Sequence, residues 1–276
     1  MNYVELNIAI SDAERAEILI AELADYPFES FMTDPKSLKA YIPEQALTGC
    51  KSAVDAMLNS FGVMRRSYTP VATKDWNAAW ESSFEPVDVD GKLVIRAPFH
   101  APAPTGIAEV VIMPHLSFGT GHHATTCLMT STLLKLDVKD KFGLDVGSGT
   151  GVLSIVAAKQ GATAVDAVDI DDWADENCRM NATTNGVANR VHTLLGDVHR
   201  VEGHHYDFIL ANINRNVLLA DLPCYNTLLN AGGTLLMSGF LEADAPIVAQ
   251  AAEAQGLHTT EVCTRDGWAL IHCTKS

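Results

Sequence analysis

The stretch GLDVGSGTG, residues 143–151, decides the fold: an apolar run ends at Val146, glycines follow at 147, 149 and 151, and helix-spaced apolar residues come next. A strand that passes through a glycine-rich turn into a helix begins a parallel strand–helix–strand unit. Moving outward, the alternation repeats. AVDAVDI, VHTLL, YDFILANI and GGTLLMSGF read as buried strands, and the spacing predicts helices over 151–160, 172–185, 216–230 and 242–255. Continuous apolar strands separated by helices form a parallel sheet covered on both faces. The last two strands, LHTTEVC and WALIHC, are joined only by TRDG, which is too short for a crossover helix, so they pair as an antiparallel hairpin.

An α/β sheet of this kind, parallel until a terminal hairpin, resembles the Rossmann-like methyltransferases more than the nucleotide-dependent dehydrogenases. Residues 1–70 follow a different pattern. YVELNIAI alternates like a half-buried strand, Ser11 with Glu14 three residues on reads as a helix cap, and PEQALTGCKSAVDAMLNSFG carries helical spacing. With FESFMT, LKAYIP and VMRRSYTP as strands, the order matches a small ferredoxin-like α+β domain. The expected organisation is a substrate-recognition domain over 1–70, a linker over 71–92 holding Trp76 and Trp80 on one helical face, and a catalytic domain over 93–276.

Composition narrows the class. Hydrophobic residues make up 47% of 276, enough to fill sizeable cores without a disulfide or metal staple. The six cysteines are scattered singly and read as free thiols in a reducing compartment. No apolar run approaches the length of a membrane span, so a cytoplasmic protein with no membrane partner is expected. A formal charge of −15 repels phosphate backbones, which argues against direct nucleic-acid binding and favours a basic partner.

Three ligand classes compete for the 147–151 turn. A triphosphate loop needs a lysine after its last glycine, and there is none. A dinucleotide loop needs G-x-G-x-x-G. The spacing here is G-x-G-x-G after Asp145, the pattern of S-adenosylmethionine sites. Asp169, closing the second strand, is placed to accept from both ribose hydroxyls, with Ile170 beside it, and Asp197 follows the third strand where adenine is read. The pairs His122–His123 and His204–His205 offer no third ligand at helical or turn spacing and read as polar loop residues.

A second glycine loop, FGTGHHATT at 118–126, precedes the first, and LANIN closes the fourth strand at 210–214. FGTGHHATT, G-x-G-x-G, VDID and ANI in this order, with KDWNAAWESSFEPVDVDGKLVI before them, resemble the bacterial methyltransferases of the eleventh protein of the large ribosomal subunit. The resemblance covers about residues 74–276. It implies an S-adenosylmethionine-dependent protein N-methyltransferase acting on lysine and N-terminal amines of a basic ribosomal protein. It also implies that Phe118, Thr120 and Thr125 cover the methionine end of the cofactor while Gly147, Gly149 and Gly151 cradle it from beneath. Asn212 is the candidate catalytic residue and is also counted among the cofactor-binding residues, its amide oxygen able to align an uncharged amine without trapping the ammonium form. Other readings are a methyltransferase acting on a nucleic-acid base or a small-molecule amine, or a non-catalytic cofactor-binding protein. Adenine-directed enzymes usually carry an aromatic stacker after the fourth strand, where this chain has Ile213-Asn214-Arg215.

Overall fold

The computed structural model describes residues 3–10, 12–34, 36–63, 65–71, 85–113 and 119–276. The expectations for Ser11, Trp76, Trp80 and Phe118 lie outside the described residues. The chain divides into two compact units, Met1–Phe84 and Glu85–Ser276.

The smaller unit runs β1 (Tyr3–Ala9), α1 (Ala13–Ala24), β2 (Ser30–Asp34), β3 (Ser37–Pro43), α2 (Glu44–Ser60), β4 (Arg66–Val71). Its strands lie in the order β2-β3-β1-β4, each pair antiparallel, which is the ferredoxin-like arrangement. Strict alternation sends Val4, Leu6 and Ile8 of β1 and Leu38, Ala40 and Ile42 of β3 to one face, where Leu19, Leu23, Val54 and Leu58 of the helices cover them. The N-cap of α1 is Asp12, whose carboxylate accepts from the Arg15 N–H at 3.2 Å.

The larger unit holds a seven-stranded sheet made of β8 (Phe142–Val146), β9 (Ala164–Asp169), β10 (Val191–Leu195), β11 (Tyr206–Asn212), β12 (Leu229–Leu241), β13 (Leu257–Arg265) and β14 (Trp268–Lys275). Their order is β10-β9-β8-β11-β12-β14-β13. The first five run parallel and β14 inserts antiparallel between β12 and β13. The terminal hairpin turns on Asp266 and Gly267, at φ 50° and 78°. Two consecutive positive φ values give the turn whose twist matches the flanking strands.

Helices α3 (Ala124–Leu133), α4 (Val152–Lys159), α5 (Asp172–Thr184), α6 (Arg215–Leu228) and α7 (Ala245–Ala254) connect and cover these strands. One core, with Met129, Ile155, Val156 and Cys178, fills one side of the sheet; the other, with Leu218, Leu222, Tyr225 and Val248, fills the opposite side. Helix α3 begins inside the second glycine loop, at Ala124, where the sequence reading expects only a loop. A further small sheet, β5 (Val87–Val89), β6 (Leu93–Arg96) and β7 (Ala108–Val111), belongs to the same unit, so residues 85–92 of the expected linker fold with the larger unit.

Candidate active site

The carboxyl ends of β8, β9 and β11 converge on a cavity of about 360 Å³. Gly147, Gly149, Asp169, Ile170, Asp197 and Asn212 all line it, drawn from four separate stretches of sequence. Backbone chemistry sets the floor. Gly147, Gly149 and Gly151 stand at φ 69°, 53° and 77°, a region that side chains disfavour. Space forbids them too: a Cβ at Gly147 would lie 2.2 Å from Ile213 Cγ2, and one at Gly151 would lie 2.4 Å from Cys178 Sγ.

Asp169 is tied into that floor. Its Oδ2 accepts from the Gly149 N–H at 2.8 Å and its Oδ1 from the Asp171 N–H at 3.1 Å. Each oxygen keeps a further lone pair for a ligand hydroxyl. Asp197 opens a short helical turn, accepting from the His199 N–H at 3.0 Å, while Ile170 stands 77% exposed on the wall, an apolar side chain left without a protein partner face. Asp145 is not on the wall. It lies 1% exposed beneath the turn, its Oδ2 receiving the Ser154 N–H at 3.1 Å and the Ser154 hydroxyl at 2.7 Å, with Oδ1 unpartnered among the described residues. Burial pushes its carboxyl up to about 6, against the lowering effect of the Ser154 bonds.

The two glycine loops are joined directly. The Thr150 hydroxyl donates to the Gly119 carbonyl at 2.7 Å, and a Cβ on Gly119 would sit 2.7 Å from that same hydroxyl oxygen. Thr120 pairs with His122 Nδ1 at 3.2 Å, and the other nitrogen of His122 meets the Glu85 carbonyl at 2.8 Å. Thr125 is fully buried in the first turn of α3, where its hydroxyl meets His123 Nδ1 at 2.7 Å. Thr120, Thr125, Asp145 and Gly151 are not among the residues lining the cavity.

At the end of β11, Asn212 Oδ1 is buried and has no hydrogen-bond partner among the described residues. A buried, unpaired acceptor costs on the order of 1–3 kcal/mol, and the residue that carries it lines the cavity. The sequence reading missed Asn214 and Asp221. Asn214 lines the cavity and caps α6, accepting from the Val217 N–H at 3.2 Å. Asp221 reaches it from the second turn of α6, its carboxyl raised chiefly by burial. The first could have been found as an Asn standing just before a helix; the second required knowing which face of α6 turns inward.

A glycine-floored cavity with the Asp169 carboxylate and Asn212 on its wall has room and polar groups for S-adenosylmethionine. Comparison with known proteins agrees. The family model "Ribosomal protein L11 methyltransferase (PrmA)" matches residues 5–276. The chain is 41% identical to the ribosomal protein L11 methyltransferase of Porphyromonas gingivalis over 94% of this chain and 90% of that one. Against the protein of the same name from Bacteroides thetaiotaomicron it is 36% identical, over 99% of this chain and 100% of that one. A crystal structure of a ribosomal protein L11 methylase from Lactobacillus delbrueckii subsp. bulgaricus superposes with a TM-score of 0.65 at 26% identity, covering 70% of this chain and 100% of that one. The chain belongs to the ribosomal protein L11 methyltransferase family.

Proposed function

We propose that this S-adenosylmethionine-dependent methyltransferase modifies lysine side-chain and N-terminal amines of ribosomal protein L11, with Asn212 as the residue that touches the attacking nitrogen. The carrying observation is the buried, unpartnered Asn212 Oδ1 on the cavity wall. S-adenosylmethionine supplies an electrophilic methyl group on a positively charged sulfur. A lysine amine attacks only when uncharged, and losing its proton at pH 7 costs about 4.6 kcal/mol from a pKa near 10.4. Asn212 Oδ1 can accept one N–H of that neutral amine and aim the lone pair, while an amide stabilises the ammonium less than a carboxylate would.

The remaining residues take supporting roles in this reading. Asp169 holds the ribose hydroxyls, Ile170 and Asp197 meet the adenine, and Gly147, Gly149 and Gly151 let the backbone approach. Phe118, Thr120 and Thr125 shape the methionine end, with Asp145 bracing the turn from below. The smaller unit captures the protein substrate. The chain's net charge of −15 suits a basic partner and disfavours direct nucleic-acid binding. No helix among the described residues is long and apolar enough to cross a membrane. Action on a ribosomal protein supports the reading of a cytoplasmic enzyme.

The test is transfer of a labelled methyl group from S-adenosylmethionine to unmodified ribosomal protein L11, with ribosomal RNA supplied in parallel. Label should map to lysine and N-terminal amines of the protein. Label on RNA, or cofactor binding with no transfer to either, would overturn the reading.

A further inference from the structure

Helix α5 carries a row of asparagines four residues apart: Asn177 and Asn181 within it and Asn185 at its C-cap. Residues at that spacing lie one above the other on a single face. Asn177 and Asn181 are 2% and 1% exposed. Asparagine is a poor helix former, and a buried amide persists where its hydrogen bonds are matched, so the row points to a use for these amides.

Every polar atom of the Asn181 amide is matched. Its Nδ2 donates to the Thr150 carbonyl at 3.0 Å and to Asn177 Oδ1 at 3.1 Å, and its Oδ1 accepts from the Met113 N–H at 2.9 Å. Both amide hydrogens are used, which fixes the way the group faces. Thr150 belongs to the glycine turn, and its fully buried hydroxyl is the one that reaches the Gly119 carbonyl. Met113 before the second glycine loop and Gly119 within it are thus tied to one turn through two neighbouring residues. Asn185 holds the same stretch of chain one helical turn away. Its Oδ1 accepts from the Val111 N–H at 2.9 Å and its Nδ2 donates to the Val111 carbonyl at 2.6 Å. No hydrogen bond of its side chain among the described residues reaches the glycine turn.

We propose that Asn181 is a positioning residue for cofactor binding: by holding the Thr150 carbonyl and the Met113 N–H at once, it seats the second glycine loop on the turn that floors the cavity. The place requires an amide. A carboxylate has no hydrogen for the Thr150 carbonyl, and an aliphatic side chain leaves both backbone groups unpaired. The proposal rests on the function proposed above, in which the second loop meets the methionine end of S-adenosylmethionine while Asp169 and Asp197 hold the nucleoside. Its effect therefore falls on the methionine end alone.

Two ligands and two helix positions separate positioning from general support. S-adenosylhomocysteine has the methionine end and adenosine lacks it; each is titrated by calorimetry into the full chain. Asn181→Leu should weaken S-adenosylhomocysteine about tenfold or more, as loss of buried hydrogen bonds commonly does, and leave adenosine within about twofold. Asn185→Leu, which removes a comparable pair of bonds away from the turn, should leave both ligands within about twofold. Thr150→Val removes only the hydroxyl that reaches Gly119 and should repeat the Asn181→Leu pattern at a severalfold loss, which tests the same link should Asn181→Leu fail to fold. Equal weakening of both ligands, unchanged affinity for S-adenosylhomocysteine, or an Asn185→Leu protein that loses as much as Asn181→Leu overturns the proposal. Methyl transfer by the wild-type enzyme to ribosomal protein L11 is measured separately, so a failure there is recognisable as a failure of the function and not of the Asn181 link.

Discussion

Asn212 and Asp145 occupy neighbouring strand ends yet use burial in opposite ways. Asn212 leaves a neutral oxygen without a partner among the described residues, and in the proposed function that acceptor would hold an amine without favouring its protonation. Asn212→Ala should lower kcat by about 100-fold or more, as loss of a preorganised hydrogen-bonding group commonly does, while cofactor affinity by calorimetry stays within a few-fold of wild type. Asn212→Asp keeps the shape but adds charge, and should remain slow at neutral pH with activity recovering as pH rises, because the carboxylate favours the ammonium. Equal kcat in all three proteins would remove Asn212 from the chemistry. Asp145 is a carboxyl whose folded pKa of about 6 lies above the value near 3.9 expected when unfolded. Its protonated form is therefore the one that folding favours. The stability it contributes is fully present below about pH 4 and is lost as pH rises through about 6, a swing of about 3 kcal/mol. Urea unfolding of wild type and Asp145→Asn should show wild type gaining on the variant by that amount between pH 7 and pH 4. A constant difference across that range would mean that Asp145 does not titrate there.

The elements that hold these residues depend on close backbone approaches more than on side-chain fit. The bulge of β12 at Gly239 is the tightest, since a Cβ there would meet the Ile213 carbonyl carbon at 2.7 Å as well as its oxygen. Gly239→Ala should cost about 2–4 kcal/mol of stability, from positive-φ strain and overpacking, and displace the turn carrying Asn212. Urea denaturation should show the loss, and kcat should fall further than cofactor affinity; unchanged stability and kcat would show that the turn has room to spare. The strands, their parallel sense and the final hairpin were legible in the sequence, because apolar runs alternate with helical spacing and TRDG leaves no length for a crossover. Helix α3 was not, for its cap is His123, outside the usual Ser, Thr, Asp and Asn set. Strands β5, β6 and β7 span only three or four residues each, too few for a period of two to declare itself. Of the site, the glycine turn, Asp169, Ile170, Asp197 and Asn212 could be read from the chain. Asp221 could not, since only the packing of α6 against the sheet brings it to the cavity.

Across the whole molecule, each unit closes its own core. Among the described residues, the cluster built on Leu6, Ile8, Leu23 and Leu58 draws on the smaller unit, and the two clusters flanking the seven-stranded sheet draw on residues from Val87 to Cys273. Separate cores imply units able to fold separately. Among the described residues, those lining the cofactor cavity, from Val146 to Asp221, belong to the larger unit, so residues 85–276 alone should bind S-adenosylhomocysteine within about threefold of the full chain, an expectation of modest change that calorimetry can check. Capture of the protein substrate is assigned to the smaller unit, which would raise the effective concentration of each target amine at the cavity. Removing a tethered binding module commonly costs about 100-fold or more in the linked step. The fragment should therefore lose about that much in kcat/KM toward ribosomal protein L11, yet methylate free n-butylamine as the full chain does. If the fragment methylates the ribosomal protein as well as the full chain does, recognition resides in the catalytic unit itself, and the smaller unit needs another role.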